Sequence, residues 1–250
     1  MKNRLFGERP WKLWKLAWEK RHNKVAFTSY IGGFLLVLIG LPYIAINHVS
    51  GTLARSAFNP EIPLDQSIPY VPVLNLAYVS FYVYYVVIPL MAQTEMERKC
   101  AIVFSQRLFI ITLPVFLMFL LLPVEVDLRS QVEGDDVFTS ILLILHGVDQ
   151  PYNAWPSLHI AHSLCVVLAT PLVFKLRRTP VICLWIAWLL LTISTMTSQQ
   201  HYIFDVGTGA IYGLIAHFGF IKPTIMRCKS KELDDAFEQF QANNVETTSG

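Results

Sequence analysis

Charged side chains are scarce in this chain of 250 residues, at 15% against about 25% in an ordinary soluble domain, while 54% of its residues are hydrophobic. That imbalance argues against a water-soluble globular protein. The basic residues form no domain of their own; they flank apolar runs, which excludes nucleic acid as a partner. Cysteine is sparse too, with four residues whose spacing matches no zinc-ligand pattern. There is no internal repeat. The start does not read as a cleavable signal peptide, because its charged region runs through residue 24 and no small-residue cleavage site follows the first apolar run.

Lys and Arg are also nearly missing from one half of the loops. Eighteen of the 20 fall in 1–24, 93–107, 175–178 and 222–250, leaving only Arg55 and Arg129. Cytoplasmic loops collect positive charge, so both termini are expected in the cytoplasm. The loops 47–71, 124–156 and 198–200 then face outward or into a lumen. No cysteine lies in them: Cys165 and Cys183 sit in apolar runs, and Cys100 and Cys228 on the cytoplasmic side. Structural disulfides are therefore not expected.

A membrane crossing takes about 20 mostly apolar residues. Six runs qualify as candidates: 25–46, 72–92, 101–123, 157–174, 180–197 and 201–221. The run 137–148 is too short to cross and is expected to be an interfacial or re-entrant helix. The fold class that follows is all-α, a six-transmembrane-helix bundle spanning 25–221. Before it, 1–24 is a basic segment with Trp11, Trp14 and Trp18 at helical spacing, suited to lie on the cytoplasmic leaflet or to anchor at its interface. After it, 222–250 is a polar cytoplasmic tail that opens with a short amphipathic stretch, LDDAFEQF, and then loses pattern. The outer loop 47–71 is stiffened by Pro60, Pro63 and Pro69.

Two segments place ionisable groups against apolar sequence, where they are costly and mark functional sites. The first, Asp149 to His159, reads DQPYNAWPSLH and runs into the fourth apolar stretch. Pro156 suits a first helical turn, and Ser157 adds a hydroxyl and free N–H groups at a helix start, a ready anion site. His159 can give or take a proton there; otherwise the segment is a capped helix start with an interfacial histidine. In the second segment, His201 and Asp205 are four apart and would share a helix face. A carboxylate on one ring nitrogen leaves the other free to act as a nucleophile or base. An imidazole, with its ordinary pKa of about 6.5, suits both tasks at neutral pH. His162, one turn from His159, supports its neighbour or lines the cavity more readily than it binds metal. Gln199 and Gln200 either contact substrate or cap a helix, Tyr152 and Asn153 line an entrance or shape a turn, and His217 is structural.

The pair PSLH and HxxxD, with the lead-in DQPYNAW, resembles the PAP2 superfamily of lipid phosphate phosphatases, which includes vanadium haloperoxidases. The lead-in and the His-Tyr pair look closest to its inositol phosphorylceramide synthase branch. The resemblance covers roughly 60–221. It implies that His201 is a nucleophile forming a phosphohistidine, that Asp205 orients it, and that His159 is the general acid. Ser157 and nearby amides would hold phosphate oxygens, with no metal and no cofactor. Three positions depart from the phosphatase pattern: Leu158 replaces a glycine, Thr195 replaces an arginine after Ser194, and the upstream lysine and Arg-Pro motif is reduced to Arg129-Ser130. Arg129 either substitutes as the phosphate clamp or pairs with the acids around it. Asn153 and Gln200 complete the expected substrate-binding set.

The expected activity is hydrolysis of a lipid phosphate, such as phosphatidic acid or an isoprenyl phosphate, at the extracytoplasmic or lumenal face. Substrate would enter sideways from the bilayer. The alternatives are a phosphotransferase that moves a phospho-headgroup between lipids, and a non-catalytic membrane scaffold or transporter that kept the fold. Neither the lipid nor the oligomeric state is legible.

Overall fold

A computed structural model describes residues 6–53 and 58–242; Arg55 and the end of the tail lie outside them. Among the described residues the chain is helical, with no β-strand and only two isolated bridges, Phe58 to Val124 and Val124 to Asn153. A short helix α1 (Lys15–Glu19) leads into α2, which runs Lys24–Leu35, widens into a π turn at Leu36–Gly40, and continues Leu41–Leu53. Then come α3 (Pro72–Met91), α4 (Glu95–Leu121), the short α5 (Val137–His146) and α6 (Leu158–Val173). The last are α7 (Arg178–Thr197), α8 (Ile203–Lys229, with a π turn at His217–Ile221) and α9 (Asp234–Ala242).

Five of these, α2, α3, α4, α7 and α8, are long and apolar enough to cross a membrane. The fourth expected span is shorter. At 16 residues α6 is about 24 Å long, less than the roughly 30 Å hydrocarbon core. It forms the buried centre of the bundle with α4: nearly every side chain from Ile160 to Ala169 is buried. By contrast, α2 and α7 turn large apolar residues outward, including Leu36, Val37, Leu41, Ile186, Leu189 and Leu190. So broad an exposed apolar belt suits lipid rather than water.

Helix starts follow local chemistry. Thr94 and Glu97 form a reciprocal capping box at α4, Asn23 accepts from the Ala26 N–H at α2, and Asp136 accepts from the Phe138 and Thr139 N–H groups at α5. Several boundaries differ from those expected. The first span continues to Leu53, so Asn47 and Ser50 are helical and buried instead of lying in a loop. The last begins at Ile203 and runs on to Lys229, past the expected end at 221. Beyond it the tail is packed: Leu233, Phe237 and Phe240 are buried in the core.

The amino-terminal segment is held by protein contacts. Trp14 and Trp18 are fully buried, so they do not act as interface anchors. Gln106 on α4 accepts from the Trp11 N–H and the Trp14 indole, and its amide donates to the carbonyls of Gly7 and Arg9. All four of its hydrogen-bonding positions are thereby used. Trp18 packs on Phe237 of α9 with ring centroids 4.8 Å apart, joining the two ends of the chain.

Candidate active site

Close approach of α6 and α8 builds the site. On α8, Asp205, Gly209 and Gly213 recur every four residues and face α6. A Cβ at Gly209 would lie 2.7 Å from the Ser157 carbonyl oxygen, and one at Gly213 would lie 3.0 Å from that of Ala161. Only glycine lets the helices touch backbone to backbone. The Ser157 N–H donates to the Asp205 carbonyl at 3.2 Å, locking the two helix starts together.

Ser157 is the N-cap of α6 and Pro156 precedes it, so the proline lies outside the first turn where it was expected. His201 likewise precedes its helix: Tyr202 is the N-cap of α8 and Asp205 the third helical residue. The HxxxD pair is therefore a helix-start arrangement and not two side chains on one helical face. Asp205 Oδ2 accepts the Tyr202 N–H at 3.0 Å and lies 3.6 Å from His201 Nδ1. That is ion-pair range, longer than a hydrogen bond, and neither Nδ1 nor Oδ1 of Asp205 has another partner. Catalytic contacts often tighten only when substrate binds. On the other side of the ring, His201 Nε2 is 3.1 Å from Ser157 Oγ and 3.3 Å from His159 Nδ1. Thus His159, His201, Asp205 and Ser157 meet at one point. His159 is wedged between Tyr78 and Phe81, with centroids 4.8 and 4.3 Å away.

The turn before His201 is unusual. Gln199 has φ +58°, a left-handed conformation that costs a residue with a Cβ and is tolerated where surroundings impose it. Its amide donates to the Ile68 carbonyl at 2.8 Å. Two outer-loop carboxylates, absent from the expected set, hold the same region. Asp65, fully buried, accepts from Ile203 N–H and from Ile62 N–H, both at 2.8 Å, and so caps α8 from the Pro-rich loop. Asp149 accepts from Tyr43 Oη at 2.9 Å and pairs with Arg129 at 3.2 Å.

A small polar cavity, about 10 Å³, opens beside the two histidines. Arg129, Asn153 and Gln200 line it together with Tyr43, Tyr78 and Asp149, whereas Ser157 stands behind His201 and does not reach it. Asn153 is buried with both amide atoms unpartnered, and Arg129 Nε is also unpartnered. Both residues therefore bring hydrogen-bonding atoms with no protein partner to the cavity lining. Arg129 lines the cavity and pairs with Asp149, the acid-pairing reading of its sequence. Ser194 and Thr195 are buried in α7, each bonded to the preceding turn. Tyr152 packs against Gly51, outside this cavity. His162 is bound by Tyr85 and Thr112 within the bundle, at 2.9 and 3.1 Å, which makes it part of the scaffold. His217 is buried in the π turn of α8.

Gln200 donates to His146 Nε2 at 2.9 Å. Burial, and then the charge of Arg129, push the His146 pKa down to about 4, so its ring is neutral and can accept. The unfolded chain takes this proton first, near the ordinary value of about 6.5. Its contribution to stability is thus present above about 6.5 and is lost as pH falls towards about 4. Thermal melts in detergent between about pH 7.5 and about pH 4.5 are expected to fall more steeply for the wild type than for His146→Asn; parallel curves would contradict this.

Comparison with family models, with curated proteins and with solved structures gives no match. Function therefore has to be argued from the geometry above and from the motifs that form it.

Proposed function

We propose that this chain is an integral-membrane lipid phosphate phosphatase that works through a phosphohistidine at His201. The observation that carries this reading is the orientation of one ring: Nδ1 of His201 faces Asp205 while Nε2 faces Ser157 and His159. A histidine held this way has one nitrogen steadied by a carboxylate and the other directed at a proton donor. In the proposed first step, His201 Nε2 attacks phosphorus, the bond from phosphorus to the lipid oxygen breaks, and His159 supplies the proton that oxygen needs. In the second, water attacks phosphorus, His159 takes its proton, and the P–N bond breaks to release inorganic phosphate. Ser157 Oγ, 3.1 Å from Nε2, holds the His201 ring in place, the N–H groups at the start of α6 supply donors to the phosphoryl oxygens, and Arg129 supplies positive charge.

The proposed topology has six crossings with both termini cytoplasmic, α6 being a short crossing sheathed by the others. Lys229 at the end of α8 donates to the Leu172 carbonyl at the end of α6. Those two helices begin together at the site, and the side chain of Lys229 reaches back to the end of the shorter one. On the distribution of Lys and Arg, the site belongs to the extracytoplasmic or lumenal face.

A second reading, phosphotransfer to a lipid hydroxyl, is favoured by one feature. The polar cavity has room for about one water molecule, yet an apolar cavity of about 480 Å³ adjoins it at His159. An acceptor from the bilayer would then reach the phosphohistidine as readily as bulk water. Purified protein incubated with headgroup-labelled lipid phosphates and phosphodiesters separates the two. Free phosphate supports hydrolysis, label on a second lipid supports transfer, and no turnover of any of them overturns both.

Asp149 competes with an anionic substrate for Arg129. Replacing it by Asn keeps an acceptor for Tyr43 and removes the charge, so Asp149→Asn is expected to lower KM for a phosphomonoester roughly threefold to tenfold, on the scale of about 1 kcal/mol for a partly exposed pair. The effect should shrink as salt is raised. A higher KM at every salt concentration would mean that Asp149 serves to place Arg129.

A further inference from the structure

The larger cavity is a groove with a direction. On α2 its lining runs from Gly32 to Ile44 at three- and four-residue spacing, and on the antiparallel α3 from Tyr78 to Val86 in the same rhythm. Tyr43 and Tyr78 stand at the outer end, next to His159 and Asp149, and these four residues line the polar cavity as well. Gly32 and Val86 stand at the far end. Tyr43 and Gly32 are separated by about 16 Å of helix. The lining between is almost wholly apolar, and α2 is among the helices that turn apolar side chains outward, so the groove is bordered by lipid-compatible surface.

One glycine keeps its far end open. A Cβ at Gly32 would sit 3.2 Å from Val86 Cγ1, so a larger residue there would fill the space between α2 and α3. The π turn Leu36–Gly40 falls within the same stretch; such turns widen a helix locally and recur at functional sites.

We infer that this groove holds a single hydrocarbon chain of the phosphorylated lipid, with Gly32 at the position that sets how long a chain fits. This rests on the proposed lipid phosphate chemistry. It goes further by assigning the chain a place and a length limit. The groove and the polar cavity share Tyr43, Tyr78, Asp149 and His159 in their walls, so a chain lying in the groove has its own headgroup beside His159; an unrelated bilayer lipid gains nothing from that adjacency.

The test uses hexadecyl monophosphate and octyl monophosphate with the full chain in detergent. Gly32→Leu is expected to lower the ratio of long-chain to short-chain turnover at least tenfold. Leu36→Trp, at a lining position that is 62% exposed and therefore tolerant, should lower it in the same direction should the glycine variant fold poorly. Val37→Trp, at a position outside the groove lining, should leave the ratio unchanged. An unchanged ratio in both lining variants overturns the inference. A separate readout needs no turnover: hexadecyl phosphate with a photoreactive group at its chain end, applied to His201→Ala protein, should label the chain around Gly32 and Val86. Label there without wild-type turnover would keep the groove and remove the phosphatase; turnover with label elsewhere would do the reverse.

Discussion

His201→Ala should lower turnover of a lipid phosphomonoester by at least about 10³-fold, because it removes the atom that forms the covalent intermediate. Asp205→Asn should cost on the order of 10³-fold as well, since the ring would lose the carboxylate that orients it and balances its charge. His159→Ala should behave differently. Under the proposed reaction its task is to protonate the departing oxygen, and an ester whose leaving group needs no proton makes that task redundant. A nitrophenyl phosphate should therefore give His159→Ala a first burst of nitrophenol at a rate approaching the wild type, with later turnover slowed because the same ring takes the proton from water in the second step, and His201→Ala should give no burst. Rapid quenching with radiolabelled substrate adds a direct check: label bound to protein through an acid-labile, base-stable bond in the wild type and absent from His201→Ala. Full turnover by His201→Ala would end the proposal.

Much of this arrangement was legible in the residues, for identifiable reasons. Apolar runs long enough to cross a bilayer are constrained along their whole length, so five of the expected spans reappear as long helices. His159, His201 and Asp205 stood out because an ionisable group is expensive in apolar sequence and persists there chiefly where it is used. What was missed depends on contacts between distant segments. The burial of Trp14 rests on Gln106, 92 positions away, and no local pattern separates a tryptophan that faces lipid from one that faces protein. Asp65 caps α8 across 138 residues and looked like one more acid in a Pro-rich loop. Asp149 opened a motif without any sign that it would face Tyr43 and Arg129. The start of α8 was misplaced by two residues because Tyr202, an uncommon N-cap, stands where Ser, Thr, Asp or Asn is usual. Composition marks 157–174 as a span, but it does not register that α6 stops at 16 residues.

The second large effect concerns a residue that touches no substrate. Gly209→Val is expected to reduce turnover at least about 10²-fold, with the protein still folded and in the membrane. The Ser157 carbonyl already lies 2.7 Å from where a Cβ would be, and that atom belongs to a backbone in direct hydrogen-bond contact with Asp205. A branched side chain cannot be absorbed by rotating a flexible neighbour, so α6 and α8 must separate. Separation carries Ser157 and His159 away from His201 and Asp205, and a displacement of about 1 Å is enough to cost on the order of 10²-fold in rate. Gly207 is the control on the same helix: nothing lies within 4 Å of a Cβ there, so Gly207→Val should keep near wild-type turnover. The pair also separates geometry from general damage. If loss of α8 stability were the cause, both substitutions would lower activity in step with their melting midpoints. Loss confined to Gly209, with Gly209→Ala intermediate, would identify helix separation as the cause. Wild-type turnover in Gly209→Val would mean that the two helices need not lie this close for the reaction to proceed.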